Sequence, residues 1–562
     1  MSKQKNELKV IPLGGMSEIG KNMTAFEYGN DMVIVDVGVA FAEENMPGVD
    51  CVIQDYSYVR NNISKLRGVL LTHGHEDHIG SLPYFLSEFK CPVYGGKLTV
   101  ELVRHKLNDR NISFKGIRLE AKKNGDVVEL GKNFTAEFIR VNHSIADSYA
   151  IALRTPVGTV IHSGDFKIDY TPINGKTIDL QRFGEYGKEG VLLFMCESTN
   201  IEIDGLSPSE MQVGESFQRI FQKADGRIIV ATFSSHVHRM QQIFTAAEKY
   251  NRHVCLSGRS MVTVFNVANS LGYIDMKPDT LIDIADLDKY DDNEIVVLTT
   301  GSQAEPMSAL SRMAFSSHKA VSIRSGDTVI ISAHPIPGNE KPIYRVINEL
   351  FRLGAHVIYE SLADVHVSGH AYKNEIKLLH SIIKPKYFVP IHGEYRMLKK
   401  HAELAEQLGT KHDNIFILDN GDVLSITGKK AKITDHVPAQ AVLIDGSGVS
   451  DPDNHVLQER RLLGADGCVC IAVTIDDRTG ELACVPSVSS MGFVFDDEKD
   501  EIHLDCGARA MALLSKNSRK NENIEAELAS RQFRNNLREL LYEKTKRRPM
   551  ILTNISHIQK RR

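Results

Sequence analysis

The sequence predicts an α/β protein of several domains, and the grouping of its apolar residues is the reason. Over the first 200 residues, short apolar runs stop abruptly at Gly, Asn or Asp, with helical text between them. From about Ser209 strand-like runs alternate with helices, the βαβ rhythm of a parallel sheet. The length of 562 residues, 42% hydrophobic and 25% charged, is ordinary globular composition. At roughly 150 residues per domain it implies three or four domains, each able to bury a core.

Taken in order, LKVIPLGG (8–15), DMVIVDVG (31–38), LRGVLLTH (66–73), GTVIHSGD (158–165) and GVLLFMCE (190–197) read as strands, and GSLPYFLSEF (80–89) and LTVELVRHKL (98–107) as helices. The second region offers strands at GRIIVATFSSH (226–236), NEIVVLTTGSQ (293–303), GDTVIISAHPIPG (326–338) and GAHVIYES (354–361). Helices are expected between them near 211–223, 237–250 and 340–353. After Tyr372 a helix leads to KPKYFVPIHGE (384–394), again a strand ending in a polar cluster. From about Val449 strands are expected at CVCIAVTID (468–476) and MGFVFD (491–496), followed by helices near 506–516 and 523–543.

Composition excludes several classes. Gly 41 and Pro 18 are too few for a collagenous or low-complexity chain. MSKQKNELKV has no apolar h-region, and the apolar run at Val191–Cys196 falls far short of the ~20 residues of a membrane span. No secretion and no membrane partner are therefore expected. Eight scattered Cys without a CxxC pair fit a reducing cytosol, so a cytoplasmic location is expected. The net charge of −5 hides an asymmetry: residues 511–562 carry 13 Lys/Arg against 5 Glu, leaving −13 for the rest. Contact with a polyanion, if any, must be local.

The strongest motif is Thr72-His73-Gly74-His75-Glu76-Asp77-His78, with four candidate ligands directly after an apolar strand. Two imidazoles two residues apart leave a strand end on one side, and Asp77 and His78 follow from the turn. Two metals a few ångströms apart explain that density better than one. His143 in RVNHS and Asp165 closing VIHSGD also stand at strand ends, where a carboxylate has one oxygen for each of two cations. Either alone would read as surface or cap chemistry. Asp36, ending VIVD, is a candidate outer partner of a ligand or a structural strand-end Asp.

With these residues in view, the chain resembles the metallo-β-lactamase superfamily, which carries an HxHxDH motif, a separate His, a bridging Asp and a final His. The resemblance implies an αββα sandwich in which His73, His75 and His143 hold one Zn2+, Asp77, His78 and His392 hold a second, and Asp165 bridges them. Mn2+ is the alternative ion. The gap of more than 200 residues between Asp165 and His392 resembles the β-CASP insertion of nucleic-acid-processing members, with Glu197 in CESTN, His370 in SGHA and His392 in PIHGE. A His at the last position goes with RNA-directed members. Singly, Glu197 is equally a strand-end carboxylate and His370 a helix-start residue. LGGMSEIGKN (13–22), FSSHVHRMQQ (233–242), PIPGNEK (335–341), HVSGHAYKNE (366–375) and MGFVFD look like the bacterial ribonuclease J family over essentially the whole chain. Departures are Ser17, where that family more often has Gly, and Glu197, where it has Asp.

The resemblance implies four segments: 1–208, the first part of the metallo-β-lactamase domain; 209–369, the β-CASP parallel-sheet domain; 370–448, the return segment; and 449–562, a small α+β C-terminal domain. It implies a dinuclear zinc ribonuclease acting on single-stranded RNA in RNA maturation and mRNA decay. The activity is 5′→3′ exonucleolytic with a preference for 5′-monophosphate ends, and also endonucleolytic. Asp77, Glu197 and His370 would be catalytic, with His370 the general acid. Ser235, His238, His366, Ser368, Gly369 and His370 would receive substrate, although Ser and His at such positions also serve as helix caps. Arg259 is a further phosphate candidate or an exposed structural Arg. A homodimer or homotetramer is expected, or a hetero-oligomer with a paralogue or other RNA-degradation proteins. The stripe Ile524, Leu528, Leu537, Leu540 and Leu541 reads as packing or dimer surface. Two other functions share parts of these features: a small-molecule metallo-hydrolase of thioesterase or lactamase type, which needs no insertion, and a catalytically silent RNA-binding subunit, which would be expected to lose ligands.

Overall fold

A computed structural model describes residues 7–43, 45–302, 308–334, 340–359, 363–446, 448–450, 455–518 and 524–558. PIPGNEK lies largely, and the terminal KRR (560–562) wholly, outside these residues. The chain divides into two compact units, one of residues 1–40 and 52–441 and one of residues 41–51 and 442–562.

The first unit is built on two face-packed sheets. In the eight-stranded sheet the order is Ala431–His436, Asp422–Ile426, Leu8–Gly14, Met23–Tyr28, Asp31–Val35, Leu66–Leu70, Pro92–Gly96 and Arg118–Lys122. The six-stranded sheet runs Val127–Leu130, Phe134–Arg140, Tyr149–Thr155, Gly158–His162, Val191–Glu197 and Tyr387–Ile391. Period-two alternation divides the six-stranded sheet between two cores. Phe138, Ile151, Leu153, Leu193, Met195 and Val389 meet Val10, Phe26, Val33 and Leu70 of the opposite sheet. Their neighbours Ile139, Ala150, Ala152, Phe194, Cys196 and Phe388 meet Phe183, Tyr186, Leu379 and Met397 of the covering helices. On the outer side of the eight-stranded sheet the helix Lys97–Asp109 packs on Pro92–Gly96 and Arg118–Lys122. The layers are αββα.

Residues after Glu197 leave this sandwich and form five parallel strands, ordered His253–Ser257, Ile295–Thr299, Ile228–Ala231, Thr328–Ile331 and His356–Tyr359. The helices Met211–Lys223, Val237–Lys249 and Glu340–Arg352 fall within a residue or so of their expected spans. The strand His253–Ser257 and helix Arg259–Ser270 are additions to the sequence reading. The chain returns through the helix Lys373–Ile383 to Tyr387–Ile391, which pairs in parallel with Val191–Glu197.

In the second unit Cys468–Asp476 is central, antiparallel to Ser487–Met491 and parallel to Met550–Ile558. MGFVFD is not a strand. Only Met491 is, and it ends the strand Ser487–Met491. Phe493 is buried while Met491 and Phe495 are exposed, so the run has one inward residue and no sheet face to sustain pairing. One helix covers Asp496–Ser518, and two more, Ile524–Ala529 and Arg531–Thr545, replace the single helix expected near 523–543. Ile524, Leu528, Leu537 and Leu541 are buried in this unit's own core, whereas Leu540 is only half-buried. All eight Cys are free thiols, and among the described residues no helix is long and apolar enough to cross a membrane.

Candidate metal centre

The ends of parallel strands collect the polar residues. Asp31–Val35 pairs in parallel with Leu66–Leu70, so Asp36 and the His73 motif emerge at one edge of the eight-stranded sheet. Gly158–His162, Val191–Glu197 and Tyr387–Ile391 are also mutually parallel, so Asp165, Glu197 and His392 emerge together, and His143 follows Phe134–Arg140. Ligand crevices form outside the carboxyl ends of such strands. Asp36 and His392 both adopt positive φ, 59° and 51°, which side-chain-bearing residues rarely hold. Backbone strain of this kind concentrates at functional sites.

Three groups of ligand atoms converge, each within 4.8 Å: His73, His75, His143 and Asp165; Asp77, His78, Asp165 and His392; and Asp165, Glu197, His370 and His392. In the first group His75 Nδ1 lies 3.0 Å from His73 Nε2 and 3.1 Å from His143 Nε2. A tetrahedron of metal–nitrogen bonds of about 2.1 Å has edges of about 3.4 Å, close to this spacing. Asp165 Oδ2 stands 3.6 Å from His73 Nε2 and 3.2 Å from His78 Nε2, while its Oδ1 stands 3.1 Å from His392 Nδ1. Asp77 Oδ2 is 3.2 Å from His392 Nε2 and 3.5 Å from His78 Nε2. Asp165 Oδ1 and His392 Nε2 are buried with no hydrogen-bond partner, their neighbours being within ion-pair reach but badly angled. Divalent cations between these atoms would satisfy both, so the residues fit a metal centre.

The electrostatics divide the cluster. Burial drives the His73 and His143 rings well below the ordinary histidine range and His75 down to about 4, leaving three neutral nitrogens. At His78 desolvation is overcome by Asp165, Asp77 and Asp36, which raise the ring well above its usual value. His392 also resists desolvation and rises to about 10 beside Asp165 and Asp77. Asp77 and Asp165 in turn, despite burial, are held well below the carboxylate range by these two rings. Protons on His78 and His392 thus balance carboxylates that a bound cation would neutralise.

The outer contacts fix the rings. Asp36 Oδ2 accepts from His78 Nδ1 at 2.7 Å and from Thr72 Oγ1 at 2.8 Å, and Thr72 Oγ1 in turn lies 3.1 Å from His73 Nδ1. One carboxylate therefore orients two candidate ligands. His143 Nδ1 donates to the Gly369 carbonyl at 2.7 Å, so Nε2 faces the cluster. A Cβ at Gly369 would come within 2.8 Å of both His143 and Ser144, so only glycine fits there. Gly38 is equally constrained, since a Cβ would meet the Asp77 carbonyl at 1.7 Å. Glu197 is buried and spans two partners, accepting from Phe166 N at 2.9 Å and from His370 Nδ1 at 2.8 Å. At His370 desolvation is outweighed by Glu197 and Asp165, which raise the ring, and at 23% exposure it keeps an open edge.

Of the proposed substrate residues, Ser368, Gly369 and His370 lie beside the cluster. Ser368 Oγ already accepts from Asn200 Nδ2 and the His370 N–H. His366 Nδ1 is bonded instead to Arg239, a fully buried guanidinium that also pairs with Glu210. Ser235 lies in the turn before the helix Val237–Lys249, and His238 in its first turn faces Asn174. Among the described residues neither hydrogen-bonds to the cluster. Arg259 begins the helix Arg259–Ser270 at the surface. The motif included Thr72 without a role, although its position just before the HxH pair was the available signal. Sequence reasoning missed Glu375, which is fully buried and accepts from Ile168 N, Ser207 N, Ser207 Oγ and Tyr372 N, anchoring the segment that carries His370.

Comparison with known proteins agrees with this architecture. A family model described as Metallo-beta-lactamase superfamily matches residues 18–185, and one described as Ribonuclease J, beta-CASP domain matches 225–350. The chain is 40% identical to Ribonuclease J 1 of Streptococcus pyogenes over 98% of both chains. This chain belongs to the ribonuclease J family. It is also 43% identical to Ribonuclease J of a Synechocystis species, covering 87% of this chain and 76% of that one, and 37% identical to Ribonuclease J2 of Bacillus subtilis over 99% and 100%. Within the family's pattern, residues 354–418 match a Zn-dependent metallo-hydrolase RNA specificity domain and 455–558 the Ribonuclease J C-terminal domain. The fold is therefore a metallo-β-lactamase domain with a β-CASP insert and a C-terminal domain. A solved protein of unknown function from Enterococcus faecalis, 18% identical, shares the fold at a TM-score of 0.53, covering 75% of this chain and 100% of that one.

Proposed function

We propose that this chain is a metal-dependent ribonuclease that hydrolyses single-stranded RNA 5′→3′ from 5′-monophosphate ends and also cuts internally, in cytoplasmic RNA maturation and mRNA decay. Family membership supports the reaction class. The observation that carries the chemistry is the convergence of six candidate ligands on a seventh, Asp165, with the His370–Glu197 pair alongside. His73, His75, His143 and Asp165 would hold one Zn2+ and Asp77, His78, Asp165 and His392 the other, with Mn2+ able to substitute. Bound divalent cations supply Lewis acidity and lower the pKa of a coordinated water.

The chain's own residues do the rest. Asp36 and Gly369 O fix ring orientation before any ion arrives. Water adds to phosphorus, its proton passing to the Asp77 carboxylate, as the bond to the 3′-oxygen of the preceding nucleotide breaks. His370, with Nδ1 engaged by Glu197, gives that oxygen its proton from Nε2. Ser235, His238, His366, Ser368 and the Gly369–His370 backbone are assigned to the 5′-phosphate, and 209–369 to the inserted domain that brings them. The assembly is a homodimer or homotetramer, or a hetero-oligomer with a paralogue.

The test is product analysis on 5′-monophosphorylated and 5′-hydroxyl RNA, with and without chelator, with metal content measured on the same sample. Chelator-sensitive release of mononucleotides, faster from the monophosphate, is expected. Thioester hydrolysis without RNA cleavage, or RNA retention without cleavage, would overturn the reading.

A further inference from the structure

The helix Glu340–Arg352 turns Ile343, Val346, Ile347 and Leu350 into the core of the five-stranded sheet. Its outer face is unusual. Tyr344 and Phe351, two turns apart, are 49% and 50% exposed, and the neighbouring Phe315 is 43% exposed. Arg345 lies over the Phe315 ring with its guanidinium carbon 5.2 Å from the centroid. Lys341 and Arg352 on this helix, and Lys319 four residues after Phe315, are also exposed. The acidic residues on this helix are Glu340 and Glu349, and Glu349 is engaged by Arg352.

We propose that this face is an accessory binding track for the body of single-stranded RNA, outside the metal centre; the inference rests on the ribonuclease reading above. Exposed aromatic rings interleaved with cations match what single-stranded nucleic acid offers, a π-face on every base and a negative backbone. Charge complementarity favours this occupant over a second copy of the chain, which would bring the same cations against themselves. Position agrees. The helix connects the parallel strands Thr328–Ile331 and His356–Tyr359, so it runs back along the sheet with its amino end at the strand carboxyl ends. At that edge Ser332 O accepts from Arg239, which also contacts His366, four residues before His370. A strand engaged at the metal centre could continue along Lys341, Tyr344 and Arg345 to Phe351.

The test compares full-length wild type with Arg345→Glu and with the Tyr344→Ala/Phe351→Ala double variant. The substrates are 5′-monophosphorylated RNAs of about 5 and about 40 nucleotides, the longer one exceeding the reach of a single site. The ratio of kcat/KM on long to short RNA should fall about tenfold in each variant, through KM, and Arg345→Glu should also flatten the salt dependence of long-RNA binding by about one charge. An unchanged ratio and salt slope would overturn the track. A drop in solution mass with an unchanged ratio would overturn it in favour of a second copy on this face. If the wild type cleaves neither RNA, the ribonuclease reading fails first and the track with it.

Discussion

Two groups of buried histidines make opposite use of burial. His380 and His401 lie in the core under the six-stranded sheet, with ring centroids 5.0 and 4.8 Å from Phe388. Each satisfies one nitrogen through a hydroxyl, His380 with Thr410 and His401 with Ser198, and leaves the other without a partner. Burial holds them at about 4 and about 3, neutral and inert. Around Asp165, His73, His78, His143 and His392 are as deeply placed, yet each has one nitrogen turned toward that carboxylate. Burial therefore does not distinguish a site from a core. Convergence on carboxylates without other counter-charge does.

Breaking that convergence should produce the largest effects. His75→Ala and Asp165→Ala each remove one ligand, and both should abolish cleavage while the protein stays soluble, with metal content below two per chain. Unimpaired turnover by either variant would sink the site assignment. Asp36→Ala leaves every ligand in place but frees His78 and, through Thr72, His73. Outer partners of this kind typically contribute 10–100-fold, so metal affinity should fall by about that factor. Titration with the metal monitored directly, at equal protein folding, is the check.

Gly369→Ala probes the same group from the other side. The new Cβ would press on the His143 ring and Ser144 at 2.8 Å, so His143 must move. Cleavage should fall roughly tenfold or more, since displacements of about 1 Å near reacting groups can reach 10²-fold. A crystal structure with His143 Nδ1 still on the residue 369 carbonyl and full activity would refute the clash.

How much of this was legible follows from distance along the chain. The HxHxDH run is local, and strand text just before His73, Asp165, Glu197 and His392 announced their shared edge. The strand Arg118–Lys122 carries few apolar residues, and Val127–Leu130 is only four residues long with every second one exposed, so neither announced itself. The His143–Gly369 bond joins residues 226 apart, and Glu375 binds Ile168 across 207, so no local pattern encodes either. MGFVFD misled because apolar content alone does not say which face of a strand is covered. His380 and His401, by contrast, look no different in sequence from site histidines. Only their aromatic surroundings and the absence of facing carboxylates tell them apart.

The smallest effect tests that last distinction. His401 has a folded pKa of about 3 against roughly 6.5 when unfolded. Above about pH 6.5 the ring is neutral in both states and the folded form keeps its full stability. As pH falls from 6.5 toward 3 the unfolded chain takes up the proton and the folded chain does not, so stability drops by up to about 1.4 kcal/mol per pH unit for this ring. His401→Gln retains a group able to bond Ser198 and cannot be charged. Its stability at pH 7 should be equal or lower, but its loss between pH 6.5 and 4 should be shallower than wild type, with RNA cleavage at pH 7.5 within about twofold. Denaturant midpoints across that pH range decide it. Parallel pH profiles for the two proteins would mean that the ring is hydrated, and the contrast between core and site histidines would then rest on geometry alone.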